Sequence, residues 1–242
     1  MFSIVYGLRG LLPVSMLDWP GKVCSVIFLA GCNFRCPYCH NPELIYDDKN
    51  AEGISWDDLE PFLSERNNWI DGVSITGGEP TINPALPLLV RKIKESGLQV
   101  KLDTNGSRPR VLERLIADGL LDFVAMDIKT SLKKYPLAAG RLVDTDALRE
   151  SLGIILSSGV ACEFRCTVVP GLVDVDDLKS IAAGLSGGGR FVLQQFRSEI
   201  TLDPAYTNLE SYPETVLFEW AEELSEMVPT KVRGTLGVVS RV

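Results

Sequence analysis

The chain has 242 residues, 45% of them hydrophobic and 23% charged, the balance of an ordinary soluble globular protein with room for one large α/β barrel or two small domains. Its net charge of -8 argues against a nucleic-acid-binding surface, because phosphate affinity depends on clustered lysine and arginine. No run approaches the roughly 18 apolar residues that span a bilayer. The opening MFSIVYGLRG shows no basic segment followed by a long apolar run, so no secretory leader or membrane anchor is expected and the protein reads as cytoplasmic.

The first strand is expected at 22–30 (KVCSVIFLA) and runs straight into GCNFRCPYCH. A second lies at 72–76 (GVSIT) and leads into TGGEP. A helix follows within 83–97, where Leu86, Leu89, Val90 and Ile93 recur at helical spacing before Gly97 stops it. The strand at 98–103 runs into DTNG, a helix fits 108–119, and the strand at 122–128 ends in DIK. Helix 144–158, strand 160–169 and helix 176–185 come next. The glycines at 187–189 read as a loop before strand 190–196. A last helix at 213–228 shows Leu217, Trp220, Leu224 and Met227 on one face. These apolar stripes read as core contacts. The alternation of strand and helix is that of βαβ units on a parallel sheet. With no repeat, linker or low-complexity tract, residues 1–242 read as one domain, its core at about 15–200 with a C-terminal helix and tail over 201–242.

In such a sheet chemistry gathers at the carboxyl ends of the strands, and the segments found there are unusually polar. Six cysteines could form three disulfides in a secreted chain, but their clustering and the expected compartment favour metal binding. Cys24, Cys162 and Cys166 lie in apolar runs and read as core packing. Cys32, Cys36 and Cys39 fall within eight residues, with the only histidine, His40, directly after them. A structural zinc wants four ligands, and a residue adjacent to the last cysteine is a poor fourth, although Cys24, Cys162 or Cys166 could complete a site. A four-iron cubane on three thiolates leaves one iron open, as a catalytic metal centre requires.

The C-x3-C-x2-C spacing with Tyr38 before the last cysteine, combined with TGGEP, resembles the signature of radical S-adenosylmethionine (SAM) enzymes. The likeness extends to the activating enzymes of glycyl radical enzymes, above all those of anaerobic ribonucleoside-triphosphate reductase. It runs through LDWPGK, GCNFRCPYCHNPEL, TGGEP, DTNG and DIK, and more weakly through RCTVVPG and QQFR. The resemblance implies a partial (β/α)6 TIM-like barrel with parallel strands and one [4Fe-4S] cluster held by Cys32, Cys36 and Cys39. The open iron would take the amino and carboxylate groups of SAM. Reductive cleavage would then lead to hydrogen abstraction from a glycine of the partner enzyme, with electrons from a flavodoxin or ferredoxin.

The resemblance further implies that Gly77, Gly78 and Glu79 meet the methionine ammonium, through the carboxylate or the backbone carbonyls, and that Tyr38 and the backbone around His40 lie near the adenine. Asp103 and Thr104 would approach the cofactor carboxylate, with a monovalent cation as a candidate bridge because it suits hard oxygen ligands. Asp127 would accept from the ribose hydroxyls, and Lys129 and Arg165 would neutralise the cofactor carboxylate. Arg197 stands where the pyruvate formate-lyase activating enzymes carry a histidine and would serve as a further cation. Asp18, in LDWPGK, would face the substrate glycine loop, its alternative being the first residue of a Pro-Gly turn. Two rivals stand beside this reading: a radical SAM enzyme modifying a small molecule, and a non-catalytic metal-binding module.

Overall fold

Each of the six apolar runs forms a strand, because β-branched and aromatic residues suit a pleat whose outer side is covered by helices. The computed structural model describes residues 7–48, 53–185 and 188–234. The first six residues, Gly187 and the tail beyond 234 lie outside that set. In chain order the elements are β1 (Leu8–Ser15), β2 (Cys24–Leu29), α1 (Trp56–Arg66), β3 (Gly72–Gly77), α2 (Leu86–Glu95), β4 (Gln99–Thr104), α3 (Pro109–Ala117) and β5 (Phe123–Asp127). They continue with α4 (Tyr135–Ala139), α5 (Thr145–Ser157), β6 (Ala161–Val168), α6 (Val175–Leu185), β7 (Phe191–Gln195), α7 (Glu214–Ser225) and β8 (Thr230–Arg233).

All eight strands form one sheet in the order β1 to β8, so each strand pairs with its sequence neighbour. Strands β2 to β8 are parallel, and β1 is antiparallel to β2. Among the described residues β1 and β8 do not pair with each other, which leaves the curved sheet open at its side. Strands β2 to β7 stand where the sequence places them, whereas the two outer strands, α1 and the short α4 are additional to that expectation.

Alternation along the strands separates two environments. Residues such as Ile27, Val73, Ile75, Leu102, Phe164 and Leu193 face the helices and join the main core. The opposite face turns inward, and at its amino end Trp19, Cys24 and Val26 pack with Phe28 and Phe123, the Trp19 and Phe123 rings 6.2 Å apart. Further up, the inner positions become charged. Cys166 is buried and Cys162 half-buried against the helix-facing core, as their apolar runs implied. Leu86, Leu89, Val90 and Ile93 are all buried along α2. In α7 Leu217 and Leu224 are buried, whereas Met227 lies beyond the helix end and is 44% exposed. The expected stripe therefore stops one turn earlier than its periodicity suggests. No helix among the described residues is long and apolar enough to cross a membrane.

Candidate active site

The loop after β2 carries the three clustered cysteines and is held from four directions. Its ends are pinned by Gly31 N–H to the Leu44 carbonyl at 2.8 Å and Cys32 N–H to the Ile45 carbonyl at 2.9 Å. Arg35 N–H reaches the Ala139 carbonyl of α4 at 2.8 Å, while the Arg35 guanidinium donates to the carbonyls of Cys32 and Phe34, both at 2.7 Å. Asn33 bridges to the loop after β4 by donating to Ser107 Oγ at 2.7 Å and accepting from Asn105 Nδ2 at 2.9 Å.

The Gly77–Gly78 pair closes the approach between the β2 and β3 ends. Gly77 has φ +121°, and a Cβ there would lie 2.2 Å from the Leu29 carbonyl oxygen; one at Gly78 would lie 2.1 Å from that of Gly31. Only glycine fits this contact. Glu79 then turns inward and is 1% exposed. Its carboxylate accepts from Thr81 N–H at 3.0 Å, the Thr81 hydroxyl, the Thr104 hydroxyl at 2.7 Å and Asn105 N–H at 2.6 Å. Burial raises its pKa, and these donors work against that rise. Glu79 is thus a bracket between the β3 and β4 ends, with three of its four donors on Oε1 and one on Oε2.

A cavity of about 270 Å³ opens between these loops, lined by all three thiols together with Tyr38, His40, Gly77, Gly78, Glu79, Asp103, Thr104, Asp127, Lys129 and Arg165. Thirteen of the expected site residues therefore meet in one place. The Tyr38 hydroxyl is buried with no hydrogen-bond partner among the described residues, an orphaned polar atom on a residue that lines the cavity. His40 is exposed, its ring 6.3 Å from that of Phe196.

The floor of the cavity is a chain of alternating charges. Arg165 on β6 donates from Nη1 to Asp103 Oδ2 at 3.1 Å and from Nε to Asp127 Oδ1 at 2.8 Å. Lys129 donates to Asp127 Oδ2 at 3.2 Å, and Lys101 donates to Asp103 Oδ1. Burial opposes ionisation of both aspartates, but Arg165 with Lys101 at Asp103, and Arg165 with Lys129 at Asp127, outweigh it and hold both carboxyls below their usual range. Lys101 is fully buried and was not singled out from the sequence; an alternation of lysine and aspartate two residues apart on an inward strand was the available signal.

Two expected residues are elsewhere. Because β1 is antiparallel, the loop after it lies at the amino ends of the parallel strands, so Asp18 is at the opposite end of the sheet from the cysteines. There it accepts from Ser15 Oγ at 2.5 Å, and the turn closes with Lys22 N–H on the Trp19 carbonyl at 3.1 Å, Gly21 having φ +75°. Arg197 is exposed and donates to the Gly234 carbonyl at 3.2 Å, outside the cavity lining. Gln194, an inward position of β7, lines the cavity instead, as do Thr76 and Thr167.

All six cysteines are free. Cys24, Cys162 and Cys166 do not line the cavity, so none completes a four-thiol site. Burial raises the pKa of Cys32, Cys36 and Cys39, that of Cys36 to about 12. Among the described residues no three His, Cys, Asp or Glu side chains converge on a single ion. A cubane spreads its thiolates over separate corners, and the donor set fits three of them. An open parallel sheet with three free thiols on its first loop, above a charged floor, defines a partial-barrel iron–sulfur enzyme.

Comparison with known proteins agrees. The description of the radical SAM superfamily matches residues 26–182. A Methanocaldococcus jannaschii protein named as a glycyl-radical enzyme activating enzyme is 32% identical over 234 residues, 94% of this chain and 95% of that protein. The pyruvate formate-lyase-activating enzyme of Streptococcus mutans is 30% identical over 174 residues, 66% of this chain and 64% of that enzyme. Among solved structures, Streptococcus suis SuiB bound to S-adenosylmethionine superposes with a TM-score of 0.67 at 17% identity, covering 85% of this chain and about half, 48%, of that one; at this identity the likeness is one of fold. The chain belongs to the radical SAM superfamily and, within it, to the family of glycyl-radical enzyme activating enzymes.

Proposed function

We propose that the protein activates an anaerobic ribonucleoside-triphosphate reductase by taking a hydrogen atom from the α-carbon of a glycine in that enzyme, with flavodoxin or ferredoxin as electron donor, in the cytoplasm and as a single radical SAM domain. When bound, a [4Fe-4S] cluster and SAM supply one-electron reduction and a carbon-centred hydrogen abstractor.

Cys32, Cys36 and Cys39 would hold three irons. The carbonyls of the Gly77–Gly78 loop would take the methionine ammonium, and Lys129 with Arg165 would meet its carboxylate. Tyr38 and the backbone at His40 would border the adenine, and Asp127 would keep lone pairs for ribose hydroxyls. Asp18 and Arg197 have no part in this cavity; Asp18 remains at the amino ends of the strands. The observation that carries the reading is the meeting of three free thiols with the charged floor in a sheet whose outer strands are not joined to each other. A lateral opening of that kind suits a loop of a macromolecule better than a closed barrel does.

The test is anaerobic incubation of the reconstituted protein with the candidate reductase, SAM and reduced flavodoxin. A glycyl radical doublet in the spin-resonance spectrum is expected. Absence of the doublet, with SAM cleavage stimulated by a small metabolite, would move the protein to the small-molecule branch.

A further inference from the structure

The likeness to activating enzymes brought with it a monovalent cation at Asp103 and Thr104. The residues do not fit one. Asp103 and Thr104 are successive on β4, so their side chains leave opposite faces. The Thr104 hydroxyl is directed to Glu79 at 2.7 Å and accepts from Gly106 N–H at 3.1 Å. On the inner face, each of the four carboxylate oxygens of Asp103 and Asp127 already faces a cationic group: Lys101, Arg165 twice, and Lys129.

Three cations against two carboxylates leave this chain of groups with one positive charge. A further cation there would be repelled at short range in a poorly hydrated setting. Lys101 explains the excess. Its side chain is 0% exposed, a position in which an ammonium must be paired, and its ion-pair partner is Asp103. Its head also lies 3.4 Å from Ser74 Oγ, between β3 and β4, below the cavity lining.

We infer that Lys101 is a tethered replacement for the alkali ion: it supplies the positive charge beside Asp103, and the site takes the carboxylate of SAM without K+ or Na+. The incoming carboxylate then neutralises the chain. Lys101 acts through Asp103 and Arg165, so it is a positioning residue. The inference rests on reading this cavity as the SAM site.

The test measures SAM binding to the reconstituted, unreduced holoenzyme by equilibrium dialysis in chloride salts of K+, Na+ and tetramethylammonium at matched ionic strength. A bridging ion would couple to the ligand, and such couplings run about 5–150-fold. The wild-type Kd should therefore change less than about twofold among the salts, well below that range. Lys101→Met should bind about tenfold or more weakly in tetramethylammonium and regain affinity in K+ or Na+, the coupling now being to a free ion. Loss of wild-type affinity by fivefold or more without alkali ions would overturn the inference, as would a folded Lys101→Met that binds equally in every salt. Should that variant not fold, anomalous scattering from wild-type crystals soaked in Tl+ decides: no peak at Asp103 is expected, and a peak there refutes the replacement. If SAM binds in no salt, the reading of the cavity fails, while the Tl+ result still settles whether the residues hold an ion.

Discussion

Asp127 is a carboxylate whose two oxygens face Arg165 at 2.8 Å and Lys129 at 3.2 Å. Burial alone would favour its protonated form; the two cations reverse the balance and lower its pKa, and Asp103 is lowered in the same way. A depressed carboxyl binds fewer protons in the folded chain than in the unfolded one. Its contribution is complete above the unfolded value of about 3.9 and is lost as pH falls through the folded value. Urea unfolding followed by circular dichroism should thus show stability falling as pH drops below about 4, with a slope of up to about 1.4 kcal/mol per pH unit for each such group. Asp127→Asn removes one of the groups, so its slope in that window should be shallower than the wild type's. Equal slopes would mean that Asp127 titrates alike in both states. Side chains of this kind were readable from the sequence because DTNG and DIK sit at strand ends. Lys101 lies mid-strand rather than at a strand end, and only its spacing of two residues from Asp103 marks it as sharing that inward face.

At the scale of elements, legibility followed local chemistry. Strands β2 to β7 and helices α2, α3, α5, α6 and α7 carry unbroken apolar patterns and were placed within a few residues of their ends. β1 contains Gly10 and Pro13, both poor strand formers; it exists because an edge strand tolerates Pro, and the Pro13 carbonyl accepts from Ser25 Oγ at 2.7 Å. α1 was hidden by Pro61 inside it, although Ser55 and Asp58 form a capping box that announces its start. α4 has five residues, too few for any periodicity, yet it bears on the site. Its C-cap Gly140 has φ +66°, and a Cβ there would lie 1.9 Å from the Arg35 carbonyl oxygen in the cysteine loop. Gly140→Ala should therefore push Arg35 away from its hydrogen bond to Ala139 and displace the loop, on top of the roughly 1 kcal/mol that a left-handed position costs a residue with a Cβ. Iron bound per chain after anaerobic reconstitution should fall well below the wild-type content while the far-ultraviolet dichroism stays close to it. Full iron loading would show that the loop does not depend on α4.

Among the described residues the eight-stranded sheet curls without closing, and its last strand is held at two places. β8 has only four residues, and on one side it pairs with β7. Across β7 a second tie reaches β6: Arg233 grips Glu163 through two hydrogen bonds of 2.8 Å. Glu163 is 1% exposed, and Arg233 is the cation that hydrogen-bonds its charge, with Arg165 a second positive group acting on it. Breaking a buried pair by removing one partner costs about 3–5 kcal/mol, and because Arg233 is a third exposed the low end of that range applies here. Arg233→Met should loosen β8 and widen the open side of the barrel. Native-state hydrogen exchange should then show faster exchange in β8 and β7 with β3 unchanged. The double variant Glu163→Gln with Arg233→Met, which removes the stranded charge, should recover part of the protection. Uniform loss of protection across the sheet would mean that the pair secures the entire fold, and the width of the opening could not then be adjusted at this edge alone.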